Sequence, residues 1–157
     1  MKTHRILIVG LGGQGVILSS NILARAAVAA GYDVKKSEVH GMAQRGGSVT
    51  THVIFGEKVH SPLVEEGQAD VILALENEEI ERVKHYLRSG GRIVAVPDGF
   101  VKKLKNPRSI NVAMLGLLAK HVDIPEEKWH DAIKGALKDK LVPINIEAFK
   151  TGLAEIK

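Results

Sequence analysis

The sequence contains no cysteine among its 157 residues. Iron–sulfur clusters are held in proteins by cysteine thiolates, so this chain cannot bind one in the usual way. Disulfide bonds are excluded as well, which agrees with a reducing, cytoplasmic location. Any function that needs a cluster must therefore take it from another polypeptide.

Long hydrophobic runs are also missing, and no stretch is long enough to span a bilayer. The apolar run after Met1–Arg5 passes directly into glycines without a convincing cleavage site, so we expect no leader peptide. The seven histidines are scattered, without the spacing of metal ligands. These absences predict a cytoplasmic chain with no membrane partner and no metal site.

The residues that are present are those of an ordinary globular protein. Hydrophobic residues make up 45% and charged residues 25% of the chain, which is enough to form one packed core. The length suits one domain covering residues 1–157. The net charge of +4 is modest, so the composition does not favour nucleic acid as a partner.

The first part of the chain alternates between strand and helix patterns. Residues 5–10 form a continuous aliphatic run typical of a buried parallel strand. Apolar residues at helical spacing follow over 16–30, and Gly31 supplies a helix C-terminus. A second strand is predicted over 33–39. Together these segments predict a βαβ unit.

The rest of the chain extends this pattern. Alternation over 48–55 and the turn at 56–58 predict a β-hairpin whose second strand begins at Val59. Later elements are a strand at 69–75, a helix at 78–87, a strand at 92–96 and helices at 110–121, 126–138 and 146–156. We therefore predict an α/β, Rossmann-like fold with a mostly parallel, doubly wound sheet, an inserted β-hairpin and a helical C-terminal region.

A glycine-rich motif, GLGGQG, occupies residues 10–15 between the first strand and the first helix. Glycines allow a tight turn and close backbone approach, and a helix N-terminus favours phosphate or carboxylate. Glu38 lies where the ribose-binding acid of a dinucleotide domain would be expected. The alternative is purely structural: the glycines permit close packing, and Gln14 bonds the backbone of its own loop.

A second polar loop follows the second strand. Arg45 is flanked by glycines and presents a guanidinium suited to bidentate contact with a carboxylate, a phosphate or a partner's carbonyls. His40 could donate a hydrogen bond, but no nucleophile or metal-ligand set accompanies it, so we assign no catalytic residue. The acidic residues at 76–79 are interpreted as helix N-terminal charge.

GLGGQG after the first strand and SEVHGMAQRGGSV after the second together resemble the gamma subunit or domain of the 2-oxoacid:ferredoxin oxidoreductases. The wording VHGMAQRGGSV is especially similar to the beta subunit of indolepyruvate oxidoreductase. Further similarity lies in SPLVEEGQADVILALE, in SGGRIVAVP and in residues 111–116. The resemblance covers about the first three quarters of the chain.

The resemblance implies CoA-dependent oxidative decarboxylation of a 2-oxo acid, of the indolepyruvate or arylpyruvate type, with ferredoxin as electron acceptor. Thiamine diphosphate, Mg and iron–sulfur clusters would lie on a larger partner subunit, and this chain alone would bind no cofactor and be inactive. Members of the indolepyruvate type are longer, so we expect a shortened C-terminal region. Two neighbouring loops would face the substrate or a cofactor: Gly12, Gly13, Gln14 and Gly15, and then Glu38, His40, Gln44, Arg45, Gly46 and Gly47.

Two other functions remain open at this point. GLGGQG together with Glu38 suits a free-standing oxidoreductase that binds NAD(P) or FAD. Arg45-Gly46-Gly47 could be an RGG-like element of a nucleic-acid module, although a single RGG in an ordered domain is weak support.

Overall fold

The computed structural model describes residues 1–40 and 47–156, with only the backbone of His40. A five-stranded mixed sheet runs through its centre in the order β2-β3-β1-β4-β5. The strands are β1 (His4–Leu11), β2 (Asp33–His40), β3 (Ser48–Gly56), β4 (Ala69–Ala74) and β5 (Leu87–Val94).

Strand direction agrees with a mostly parallel sheet. β1, β4 and β5 pair in parallel, whereas β3 pairs antiparallel with both β1 and β2. β2 consequently points the same way as β1, with β3 between them. The predicted α/β class is confirmed, and β3 is the strand that runs against the others.

The helices cover mainly one face of the sheet. They are α1 (Val16–Ala29), the single turn α2 (Ile80–Val83), α3 (Ile110–Ala119), α4 (Glu126–Ala136) and α5 (Val142–Leu153). One core cluster joins Ile6 and Ile8 of β1 to α1, α3, α4 and α5. The other face packs Leu7 and Val9 against Val59, Val64 and Val83, so a loop and a short helix cover it.

Three predicted elements differ from the structure. β3 pairs with β2 rather than with the segment that follows it, and residues 57–68 contain no strand. The helix predicted over 78–87 is α2 flanked by 3₁₀ turns at Asn77–Glu79 and Lys84–Tyr86. β5 begins at Leu87 and includes Gly90 and Gly91, so it starts before the strand predicted over 92–96. A bulge between β4 and β5 lets this polar stretch pair at the sheet edge.

The two longest apolar helices of the C-terminal region touch through glycine. A Cβ atom at Gly116 would collide with the backbone of Phe149, and one at Gly152 would collide with the carbonyl of Ala113. α3 and α5 therefore approach closely, backbone to backbone, and hold the helical layer together. In the described part of the chain, no helix has the length and apolar character to cross a membrane.

Candidate functional site

The first predicted loop is a tight turn between the C-terminal end of β1 and the start of α1. The Leu11 backbone N–H donates to Gln14 Oε1 at 2.6 Å, and the Gln14 N–H donates to the Leu11 carbonyl at 3.1 Å. Gln14 Nε2 also donates to Glu76 Oε1 at 3.0 Å. The glutamine thus ties the turn to itself and to the segment after β4.

The glycines of this turn have separate roles. Gly13 and Gly15 have positive φ angles of 90° and 81°, a backbone conformation that side chains disfavour. A Cβ at Gly10 would lie 2.8 Å from Val16 Cγ2, and one at Gly15 would collide with Asn111. Close packing therefore explains Gly10 and Gly15, whereas at Gly13, where a Cβ would meet nothing within 4 Å, the positive φ angle alone favours glycine.

The turn lies where the strand order of the sheet reverses. From β1 the chain continues to β2 and β3 on one side, and from β4 it continues to β5 on the other. In open α/β sheets such a switch point leaves a crevice at the carboxyl ends of the strands, where ligands bind. Here the crevice has a volume of about 620 Å³ and is lined by Gly13, Gln14, Gly15, Leu75, Arg108, Ile110 and Asn111.

The end of the second loop reaches the first turn directly. The Gly12 N–H donates to the Gly47 carbonyl at 2.9 Å. His40 ends β2 opposite Val49, which in turn pairs with Gly10 of β1. Gly47 and the His40 backbone therefore lie at the same rim of the sheet as Gly12.

The remaining residues of the second loop that were predicted to face a ligand are Gln44, Arg45 and Gly46. They lie outside the residues that the structure describes. Their role, and that of the His40 side chain, stays a prediction.

The segment after β4 contacts both the glycine turn and the start of β3. Besides the contact of Glu76 with Gln14, Arg82 donates to Glu79 Oε1 at 2.8 Å and to Thr50 Oγ1 at 2.9 Å. Burial acts to raise the pKa of Glu79, but hydrogen bonds from Ser48 and Arg82 and the Arg82 charge outweigh it, so its pKa is lowered. Glu79 is therefore a carboxylate that anchors the start of β3. Glu78 and Glu79 do lie in the first turn of the helical segment, as interpreted, and Glu76 and Glu79 in addition contact the two sides of the site.

Glu38 does not lie in a loop. It sits within β2, two residues before the strand ends, and its Oε2 forms an ion pair with Lys36 Nζ at 2.9 Å. β3 separates β2 from β1, so Glu38 is not on the strand next to the glycine turn. In a dinucleotide-binding domain the ribose-binding acid belongs beside that turn. This arrangement argues against the NAD(P) or FAD alternative.

Sequence reasoning did not select Arg108 or Asn111 as site residues. Asn111 is 6% exposed, and its Nδ2 lies 3.4 Å from the Gly15 carbonyl. An asparagine in the first turn of an otherwise apolar helix was the available signal. The Arg108 side chain lines the crevice and forms no ion pair within residues 1–40 and 47–156.

The arrangement provides binding groups without a recognisable reaction centre. α1 has Gly15 as its N-cap, without a side-chain cap and without an acidic residue in its first turn, which leaves its N-terminal dipole available to an anion. Among the described residues, no group of three histidine or acidic side chains could hold a metal ion. The site can orient or cover a ligand, but the described part of it supplies no nucleophile with an adjacent base.

Comparison with known proteins gives consistent matches. The profile of the family described as pyruvate ferredoxin/flavodoxin oxidoreductase matches residues 5–100 and 97–155. The chain is 34% identical to the indolepyruvate oxidoreductase subunit IorB of Thermococcus kodakarensis, over 100% of this chain and 98% of that protein.

Solved structures share the fold. A keto/oxoacid ferredoxin oxidoreductase gamma subunit from Geobacter sulfurreducens has a TM-score of 0.79 at 22% identity, covering 97% of this chain and 95% of that one. The 2-oxoglutarate:ferredoxin oxidoreductase of Magnetococcus marinus has a TM-score of 0.84 at 24% identity, covering 98% of this chain and 31% of that one. The fold here thus occurs both as a separate subunit and within a longer chain.

The difference in length from the archaeal relative is internal. The alignment with the Thermococcus protein runs over 197 positions, against 157 residues here, so about 40 positions have no counterpart in this chain. The family match is split in two at residues 97–100 and then continues to residue 155. We infer that the missing positions fall between β5 and α3. A shortened C-terminal region stays a prediction.

Proposed function

Since the chain belongs to the pyruvate ferredoxin/flavodoxin oxidoreductase family, we propose that it is the small subunit of a 2-oxoacid:ferredoxin oxidoreductase of the indolepyruvate type. In this role it supports CoA-dependent oxidative decarboxylation of an aryl-substituted 2-oxo acid. A cytoplasmic location remains part of the proposal. Catalysis takes place on a larger partner subunit that this chain contacts.

One observation carries the proposal: the similarity to the IorB subunit extends over the whole of this chain and 98% of that relative. A match of this extent is more than a shared dinucleotide-like motif could produce. The name of that relative also supports the assignment of this chain as a subunit.

The residues of the chain support a division of labour between subunits. There is no cysteine to ligate an iron–sulfur cluster, and the described residues contain no acidic or histidine cluster for Mg. Thiamine diphosphate, Mg and the clusters are therefore assigned to the partner, where they would supply decarboxylation and electron transfer to ferredoxin.

The crevice at the switch point is the part of this chain that we assign to the complex's active-site region. Arg108 and the first turn of α1 are suited to a phosphate or carboxylate group, such as those of CoA or a 2-oxo acid. Gln14 holds the turn that forms one wall. Arg45, in the second loop, is proposed to act from the neighbouring side.

The decisive experiment is co-expression of this chain with the larger subunit encoded in the same genome, with an affinity tag on this chain. A brown, thiamine-containing complex should be recovered. It should reduce a ferredoxin-type dye with indolepyruvate and CoA, and the separated small chain should be inactive. A substrate panel of aryl, branched and simple 2-oxo acids then identifies the preferred acid.

Two results would contradict the proposal. One is a tagged chain that stays solitary in the presence of the larger subunit. The other is micromolar binding of NAD, NADP or FAD to the chain alone in calorimetric titrations, which would instead favour the free-standing oxidoreductase.

A further inference from the structure

A second pocket lies at the opposite end of β1 from the glycine turn. Its floor contains Arg5 and Ile54, which are cross-strand partners in the β1–β3 ladder. Arg5 is on the same face of β1 as buried Leu7, because side chains alternate along a strand. Seven residue steps along β1 and its end separate Arg5 from Gly12, or about 23 Å at 3.3 Å per residue. The pocket is therefore distinct from the crevice.

The outer wall is the loop between β3 and β4, which is anchored at two points. The Val59 N–H donates to Asp33 Oδ2 at 2.8 Å, and the Val64 N–H donates to His52 Nδ1 at 2.9 Å. The side chains of Val59 and Val64 are both buried in the core cluster beneath. The residues between these anchors are thus held in place without a ligand.

The charges facing this pocket are predominantly positive. Arg5 and Lys58 line it together with the uncharged Ser61, and Glu65 is the acidic residue in its lining. Neither Arg5 nor Lys58 has an ion-pair partner in the part of the chain that the structure describes.

The carboxylate that contacts the Arg5 backbone is already engaged. Asp70 accepts from the Arg5 backbone N–H at 2.8 Å through Oδ2, and from Arg88 Nε at 2.6 Å through Oδ1. Its charge is therefore matched by Arg88, and the Arg5 guanidinium remains available. Two unmatched cations in a fixed concave wall form an anion-binding arrangement.

We propose that this pocket binds a small organic anion carrying carboxylate or phosphate groups. Arg5 supplies a planar fork for one such group, and Lys58 supplies a point charge for it or a second one. The volume of about 290 Å³ is at the lower end of ligand pockets, which suits a small metabolite and excludes a dinucleotide. This proposal is independent of the function assigned to the crevice.

The test is isothermal titration of the full chain with inorganic diphosphate and, separately, with citrate at low ionic strength. Saturable binding is expected, with a Kd on the order of 0.1–1 mM because the cations are partly solvated. Arg5→Gln and Lys58→Gln should each weaken it about tenfold, and Arg5→Lys should weaken it less, because it keeps the charge and loses the fork. The preferred probe distinguishes phosphate from carboxylate.

Two control variants match the charge removed. Arg92→Gln and Lys102→Gln alter exposed cations that do not line the pocket, and their affinities should equal that of the unmodified chain. Thermal melting of each variant separates lost binding from lost folding. The proposal is overturned if the unmodified chain shows no saturable heat, or if the control variants weaken binding as much as Arg5→Gln and Lys58→Gln do.

Discussion

Replacing Gln14 by alanine tests whether this side chain holds the glycine turn. The substitution removes the acceptor of the Leu11 N–H, a partly buried donor, and the donor to Glu76. An unpaired buried donor costs about 1–3 kcal/mol, and a hydrogen bond to a charged group contributes about 1.5–3 kcal/mol, less when solvent competes. We expect the free energy of unfolding to fall by about 2–3 kcal/mol.

Urea denaturation of the full chain measures this change directly. A chain of this length loses about 2–4 °C of Tm per kcal/mol, so thermal melting should show a decrease of about 4–12 °C. Gln68→Ala is the matched control, since the side chain of Gln68 is exposed and forms no hydrogen bond within the described residues. Its effect should stay within about 0.5 kcal/mol.

A double-mutant cycle with Glu76→Ala isolates the side-chain contact between Gln14 and Glu76. The coupling free energy should be about 1 kcal/mol, because the pair is only partly buried. If Gln14→Ala is as mild as Gln68→Ala, or if the cycle shows no coupling, the role assigned to Gln14 is refuted.

Two further predictions concern pH and the second loop. Burial lowers the pKa of His52, and burial, with the charge of Lys2 adding to it, lowers the pKa of His4, so the unfolded chain takes up protons first as the pH falls below the ordinary histidine pKa of 6.5. The free energy of unfolding should therefore be constant above that pH and decrease below it; equal urea midpoints at about pH 7.5 and about pH 5.5 would contradict this. Arg45→Ala should leave the Tm of the isolated chain unchanged but lower turnover of the reconstituted complex about tenfold or more, as expected for losing a charged hydrogen bond. Arg92→Ala is its control, and unchanged turnover would remove Arg45 from the site.

Local sequence patterns predicted most strands and helices because the order of apolar and polar residues within each of these segments is enough to indicate its structure. The aliphatic run of β1, the helical spacing of α1 and the glycine at 31 each determine structure over a few residues. The pairing of β2 with β3 was missed for the opposite reason. The sequence beginning at Val59 resembles a strand. In the structure, however, its backbone N–H groups at Val59 and Val64 donate to the side chains of Asp33 and His52, not to a neighbouring strand.

The site was predictable in part. Two glycine-rich loops that follow successive strands of the same direction indicated one rim of the sheet, and the Gly12–Gly47 hydrogen bond places their described ends together. The role of Glu76 and Glu79 depends on contacts with Gln14 and Ser48, residues 62 and about 30 positions away in the chain. Nothing in the pattern around an acidic helix start reveals such distant partners.

The placement of residues 76–82 has a consequence for assembly. Glu76 accepts a hydrogen bond from Gln14 of the glycine turn, and Arg82 donates one to Thr50 near the start of β3. This short stretch therefore links the glycine turn to β3, and a displacement of one would disturb the other. A polypeptide that docks onto the glycine turn or onto the start of β3 would therefore contact a surface held by both segments. Residues 76–82 follow β4, so this surface is also fixed to the centre of the sheet. On docking to a larger partner, the glycine turn and β3 would therefore move together.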